Sequence, residues 1–82
     1  MPDNPYKIDF QKLVGARIFK IRSIKGLSLR EVAQNCDLDF SDIGKYEKGE
    51  INFKVQTLYE LARGLGVHPK ELFDFDFNFA DS

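Results

Sequence analysis

Few residues in this sequence are equipped for bond-making chemistry. There is one cysteine, Cys36, and one histidine, His68, which cannot assemble the usual Cys/His zinc clusters, and a single cysteine closes no internal disulfide. No Ser/His/Asp set, Gly-rich phosphate loop or paired carboxylates stand at a useful spacing, so catalysis is not expected and neither a metal nor a cofactor is called for. Cys36 falls on an apolar helix face, where a cysteine serves as a small hydrophobe. His68 precedes Pro69 at a helix start, where a local cap or surface role suffices. What remains is a run of charged and hydrogen-bonding side chains from Leu27 to Lys54, LSLREVAQNCDLDFSDIGKYEKGEINFK. The chemistry open to such a run is noncovalent recognition.

Those side chains need elements to position them. Ser28 and Glu31 make an S-x-x-E capping box, so a helix opens at Leu29 and carries Val32, Ala33 and Cys36. Asp37 and Leu38 break the pattern. Asp39 then offers a second N-cap, with Asp42 at its N3 position, for a helix bearing Phe40, Ile43, Tyr46 and Glu47. Gly49 supplies its left-handed stop. Two helices of roughly two turns each bury too little surface to stand alone, so flanking helices must clamp the pair. A pair held in this way projects its second helix, a shape that fits the major groove of duplex DNA. The bland alternative is a structural helical pair in a small bundle that touches no nucleic acid.

The flanks supply the clamp. From Phe10, the apolar residues Leu13, Val14, Ile18, Ile21 and Ile24 recur at helical spacing, with Lys12, Arg17, Lys20 and Lys25 spread over the rest of the surface. A first helix is expected over about 10–25, ended by Gly26. After Asn52 and Phe53, the stripe Val55, Leu58, Leu61, Ala62 and Leu65 predicts a fourth helix closed by Gly66. His68-Pro69 begins a short fifth, returning Leu72 and Phe73 to the core. Residues 1–9 read as a flexible leader, 10–73 as the folded domain and 74–82 as an acidic, Phe-rich tail. In FDFDFNFADS, phenylalanines alternate with acidic or polar residues, a strand pattern with no partner strand in the chain. Phe75, Phe77 and Phe79 are therefore expected to pack on the domain's own helices, on a second copy, or on a partner protein.

Composition bounds the answer. At 82 residues, 43% hydrophobic and 30% charged, the chain fits one small globular domain. It has no run of about 18 apolar residues that would span a membrane. Its opening, MPDNPYKIDF, has no basic region followed by an apolar stretch, so no secretion signal is expected and a cytoplasmic setting follows. The formal net charge is −1, low for a molecule that approaches phosphates. The distribution is uneven: residues 1–30 hold seven Lys/Arg against two acids (+5), and residues 31–82 hold five against eleven (−6). A basic front half can face DNA while the acidic remainder stays away, with weak non-specific affinity and steep salt dependence.

These residues also carry a resemblance. G-x-R-I at Gly15 to Ile18, I-R at Ile21-Arg22, K-G-L-S at Lys25 to Ser28 and E-V-A at Glu31 to Ala33 keep their spacing with three later runs. These are I-x-K-Y-E-K-G-E at Ile43 to Glu50, T-L-x-x-L-A at Thr57 to Ala62 and L-G-V-H-P-x-E-L-F at Leu65 to Phe73. The chain resembles the phage-repressor-like (Cro/C1, XRE-type) helix-turn-helix regulators of bacteria. The resemblance implies an all-α, compact five-helix lambda-repressor-like domain, working as a homodimer on a palindromic operator in double-stranded DNA, most simply as a repressor. It implies that Phe40, Ser41, Gly44 and Lys45 face the groove. Ser28, Leu29 and Arg30 then lie beside phosphates, and Lys48, Asn52 and Lys54 touch the backbone after the recognition helix. Arg22 and Glu47 match a structural ion pair between the first and third helices. The chain departs from the family pattern at Leu29, where glutamine is common, and at Phe40, where arginine or glutamine is common, while Asp39 and Asp42 bring negative charge towards the groove, Asp39 as a cap. Base reading is thereby left chiefly to Lys45, helped by Ser41. The alternative reading is a protein-interaction module, such as an antitoxin-like partner whose Phe-rich tail docks on another protein.

Overall fold

The computed structural model describes residues 9–77. Asp9 opens the first helix by accepting the Lys12 amide on its carboxylate at 3.3 Å, and Gly26 closes it in a left-handed conformation, φ 69°, so α1 spans Phe10–Lys25. The Ser28 capping box forms in full: Ser28 Oγ accepts from the Glu31 amide at 3.1 Å and the Ser28 amide donates to Glu31 Oε1 at 2.7 Å. It starts α2, Leu29–Gln34. α3 is Phe40–Glu47 and α4 is Val55–Leu65, the latter ended at Gly66 with φ 71°. Every regular element among the described residues is helical. Residues 1–8 and Phe79 lie outside the described residues.

The five-helix expectation is corrected to four α-helices among the described residues, with a 3-10 segment, Pro69–Phe73, where the fifth was expected. His68 caps it by accepting the Lys70 amide on Nδ1 at 3.1 Å. Five residues ending in a Phe-Asp alternation cannot sustain a full α-turn ladder, so the tighter geometry takes over. α2 also stops short of Cys36, which lies buried beyond its end with Sγ 3.4 Å from the Val32 carbonyl. Asp39 takes the extended N-cap backbone, but its side chain makes no capping bond; its carboxylate instead accepts the Ser41 hydroxyl.

The core is one cluster. Val14, Ile18 and Ile21 of α1 meet Val32, Cys36, Ile43, Leu61, Ala62, Leu65 and Leu72. Two members of the expected stripes are exposed instead: Ile24 at 73% and Val55 at 85%. Each sits in a terminal turn, Ile24 just before the reversal at Gly26 and Val55 at the first position of α4, where no neighbouring element reaches across. Phe73 is also 43% exposed; the tighter 3-10 turn sends Leu72 inward and leaves its neighbour outside.

Two contacts orient the helices. Arg17 donates from Nε to the Glu71 carbonyl at 2.8 Å and pairs from Nη2 with Glu71 Oε1 at 3.2 Å, pinning the 3-10 segment to α1. Glu60, 6% exposed on α4, accepts the Asp37 amide at 3.0 Å, so a buried carboxylate satisfies the turn between α2 and α3. The described part of the tail makes no strand. It folds back on α1, with the Phe10 ring 5.7 Å from Phe75 and 5.2 Å from Phe77.

Two expectations follow. A Cβ on Gly15 would stand 2.7 Å from the Glu47 carbonyl oxygen, so Gly15→Ala should lose about 1–3 kcal/mol of stability in urea unfolding, as overpacked sites do. The Glu31 carboxyl is held below its ordinary value of 4.5 by the hydrogen bond from the Ser28 amide, then by that with the Ser28 side chain. Its contribution is therefore complete above pH 4.5 and lost as pH falls through the lower folded value. Unfolding curves of wild type and Glu31→Ala should differ at pH 7 and draw together in acid.

Candidate nucleic-acid interface

The seat of α3 is set from below by α1. Because Gly15 has no side chain, the carbonyls of Tyr46 and Glu47 lie directly against the α1 backbone. Arg22, two turns further along α1, closes the joint. Its Nε lies 2.5 Å from Glu47 Oε2 and its Nη2 2.9 Å from Oε1, while Nη1 donates to the Leu27 carbonyl at 2.9 Å. One guanidinium thus ties α1, the end of α3 and the turn before α2. The pair is 16% and 6% exposed, and the hydrogen bond with Glu47 raises the Arg22 pKa against the opposing cost of burial. The ion pair implied by the resemblance is present.

Helical geometry then decides what faces out. At about 100° per residue, Phe40, Ser41, Gly44, Lys45 and Lys48 share an arc of roughly 140°, with Ile43 and Tyr46 on the opposite side. Ile43 is fully buried, and Tyr46 stacks on Phe53 at 5.1 Å. Ser41, Lys45 and Lys48 are exposed, and Phe40 and Gly44 half-buried. Among the described residues no ion pair holds Lys45. The arc is open to a ligand.

The remaining candidates fall into groups. Leu29 Cδ1 would lie 3.5 Å from a Cβ on Gly44, and Leu29, Gly44 and Lys48 share a concavity of about 460 Å³ with Ala16, Phe19, Arg22 and Glu47. Arg30 of α2 lies over the Phe40 ring, its Cζ 4.2 Å from the centroid. Asn52 and Lys54 are exposed in the connection between α3 and α4. Ser28 is exposed too, but its amide is already given to Glu31. Ser41 donates its hydroxyl to the Asp39 carboxylate.

A sequence profile of the helix-turn-helix family HTH_3 matches residues 18–72. The chain belongs to that family. As an HTH_3 helix-turn-helix protein it is a DNA-binding regulator of transcription. It is 40% identical over 65 residues to the HTH-type transcriptional regulator y4dJ of Sinorhizobium fredii, covering 79% of this chain and 84% of that one. The crystal structure of the restriction-modification controller protein C.AhdI from Aeromonas hydrophila is similar, with 33% identity and a TM-score of 0.75 over 80% of this chain and all of that one. The controller protein C.Esp1396I, solved as a tetramer with its natural 35-base-pair operator, is 25% identical with a TM-score of 0.72, covering 88% of this chain and 90% of that one.

In this helix-turn-helix, sequence reasoning missed Phe19 and Glu60. Phe19 is 51% exposed and carries the Arg22 guanidinium 5.3 Å above its ring, walling the concavity beside Leu29. Its signal was a large aromatic off the core stripe between Arg17 and Lys20. Glu60 has local partners in Gln56 and Arg63 on its own helix, but its bond to the Asp37 amide, 23 residues away, had no signal in the sequence. Glu47→Ala leaves the Arg22 charge half-buried without its partner and should cost about 3 kcal/mol in chemical denaturation.

Proposed function

We propose that this protein is a sequence-specific, cytoplasmic DNA-binding regulator that grips a palindromic operator as a homodimer and represses by blocking polymerase. The observation that carries this reading is the open arc of α3, with Lys45 exposed and in no ion pair among the described residues. In a major groove, the Lys45 ammonium meets the guanine O6 and N7 acceptors. Ser41, exposed beside it, can hydrogen-bond a neighbouring base edge. Leu29 and Gly44 form an apolar floor suited to a thymine methyl. Lys48, Asn52, Lys54 and Arg30 meet phosphates, with Ser28 and Leu29 at the edge of the contact.

The operator complex of C.Esp1396I supports a multimeric, operator-bound state for this chain. In a symmetric dimer the two α3 helices would stand about 34 Å apart, one turn of DNA. Phe10, Phe73 and Phe77, at 44%, 43% and 37% exposure, would supply apolar contact surface to a second copy. The second reading, a protein partner docked on the tail, draws on the same aromatic surface.

Selection from a random duplex pool should enrich a palindrome; a pool that stays random would refute sequence specificity. On the enriched site, Lys45→Ala should lose about 1–3 kcal/mol in a gel-shift titration while binding to unrelated DNA changes little. An equal loss on every sequence would make Lys45 a phosphate contact.

A further inference from the structure

The Arg30 guanidinium sits over the ring of Phe40, joining the first turn of α2 to the first residue of α3. We propose that Phe40 is a positioning residue: its ring is a platform that holds Arg30 as a preset fork toward a two-acceptor edge of DNA, either phosphate oxygens or guanine O6/N7. This deepens, and rests on, the DNA-binding reading of the same face.

The Arg30 guanidinium carbon lies over the Phe40 ring, a contact that uses none of the five N–H donors around it. No hydrogen bond or ion pair takes any of those donors among the described residues. The contrast with the other arginines is informative. Arg17 is spent on Glu71, Arg22 on Glu47 and Leu27, and Arg63 on Asn35 and Glu60. Arg30 alone of the four is placed against a ring with no acceptor taking its donors among the described residues. An arginine fixed before binding loses less rotamer freedom on contact.

The platform also explains Phe40 itself. A ring that carries a guanidinium at 4.2 Å has one face occupied, which leaves it poorly placed to read a base directly. Its place at the opening of α3, the end that enters a groove, puts the Arg30 fork at the groove's rim. There both acceptor types lie within reach of a long side chain.

The test pairs a readout without DNA and one with it. In the free protein, NMR should show the Arg30 side-chain protons shifted upfield by the ring; the shift should vanish in Phe40→Leu and persist in Phe40→Tyr. With a selected operator, Arg30→Ala should weaken binding about tenfold, and Phe40→Leu roughly two- to fivefold, the share expected of an exposed cation–π contact. Phe40→Tyr should bind like wild type, and Phe40→Leu should add nothing to Arg30→Ala. Losses that simply add, or a tyrosine variant as weak as the leucine one, would overturn the platform. Thermal unfolding of each variant separates misfolding from lost contact. A salt slope reduced by about one on every sequence assigns the fork to phosphate; a loss reproduced by 7-deazaguanine in the operator assigns it to guanine. If wild type retains no DNA, the regulator reading and this one fall together. If it binds but shows no coupling, only this one falls.

Discussion

The disposition of the whole molecule rests on one close approach, the backbone of α3 lying against α1 at Gly15. A side chain there would collide with the carbonyls of Tyr46 and Glu47. With none, the two helices meet at backbone distance and Arg22 can reach both oxygens of Glu47. The two features reinforce each other. Tight packing excludes water from the ion pair, which strengthens it, and the ion pair fixes the rotation of α3 about its own axis. Rotation is the property that matters, because it decides which residues of an eight-residue helix look outward.

Buried polar groups elsewhere serve the same end. The turn between α2 and α3 leaves the Asp37 amide facing inward, and Glu60 from α4 accepts it. This contact adds to those that the buried Glu60 carboxylate makes with Gln56 and Arg63. On the far side, Arg17 takes the Glu71 carbonyl and carboxylate and holds the 3-10 segment down. The lopsided charge of the chain is thus partly consumed inside it. Arg17 and Arg22, counted in the basic front half, neutralise acids from the back half and are not available to an external anion. The cations that stay exposed, including Lys20, Lys25, Arg30, Lys45, Lys48 and Lys54, are the ones that set the outer field. The modest net charge therefore hides a usable basic surface.

The tail shows how apolar alternation can be satisfied without a sheet. Its phenylalanines had three candidate partners on sequence grounds. Phe75 and Phe77 gather around Phe10 at the start of α1, in tilted and edge-on contacts typical of aromatic pairs. Coverage is partial, so an aromatic surface remains at this end of the molecule.

Local signals in the sequence were sufficient for most of the helix boundaries. A capping box, three glycines with positive φ and a proline after His68 act within a few residues, and their effect does not depend on distant chain; α1 ends where Gly26 places it and α2 opens at its capping box. They were weaker where an element is short or a cap has a competing partner, which is why the fifth helix is a 3-10 segment and Asp39 turns to Ser41. Periodicity found the core but not its limits, because Ile24 and Val55 fit a stripe that no neighbour covers. The family motifs supplied the Arg22–Glu47 pair and the outward set on α3. Only the tertiary structure decided which donors remain for a ligand. Ser41 turned its hydroxyl to Asp39, Arg30 came to rest on Phe40, and Phe19 closed a concavity beside Leu29. Such outcomes depend on directions in space between residues far apart in the chain, and spacing along a sequence does not encode them.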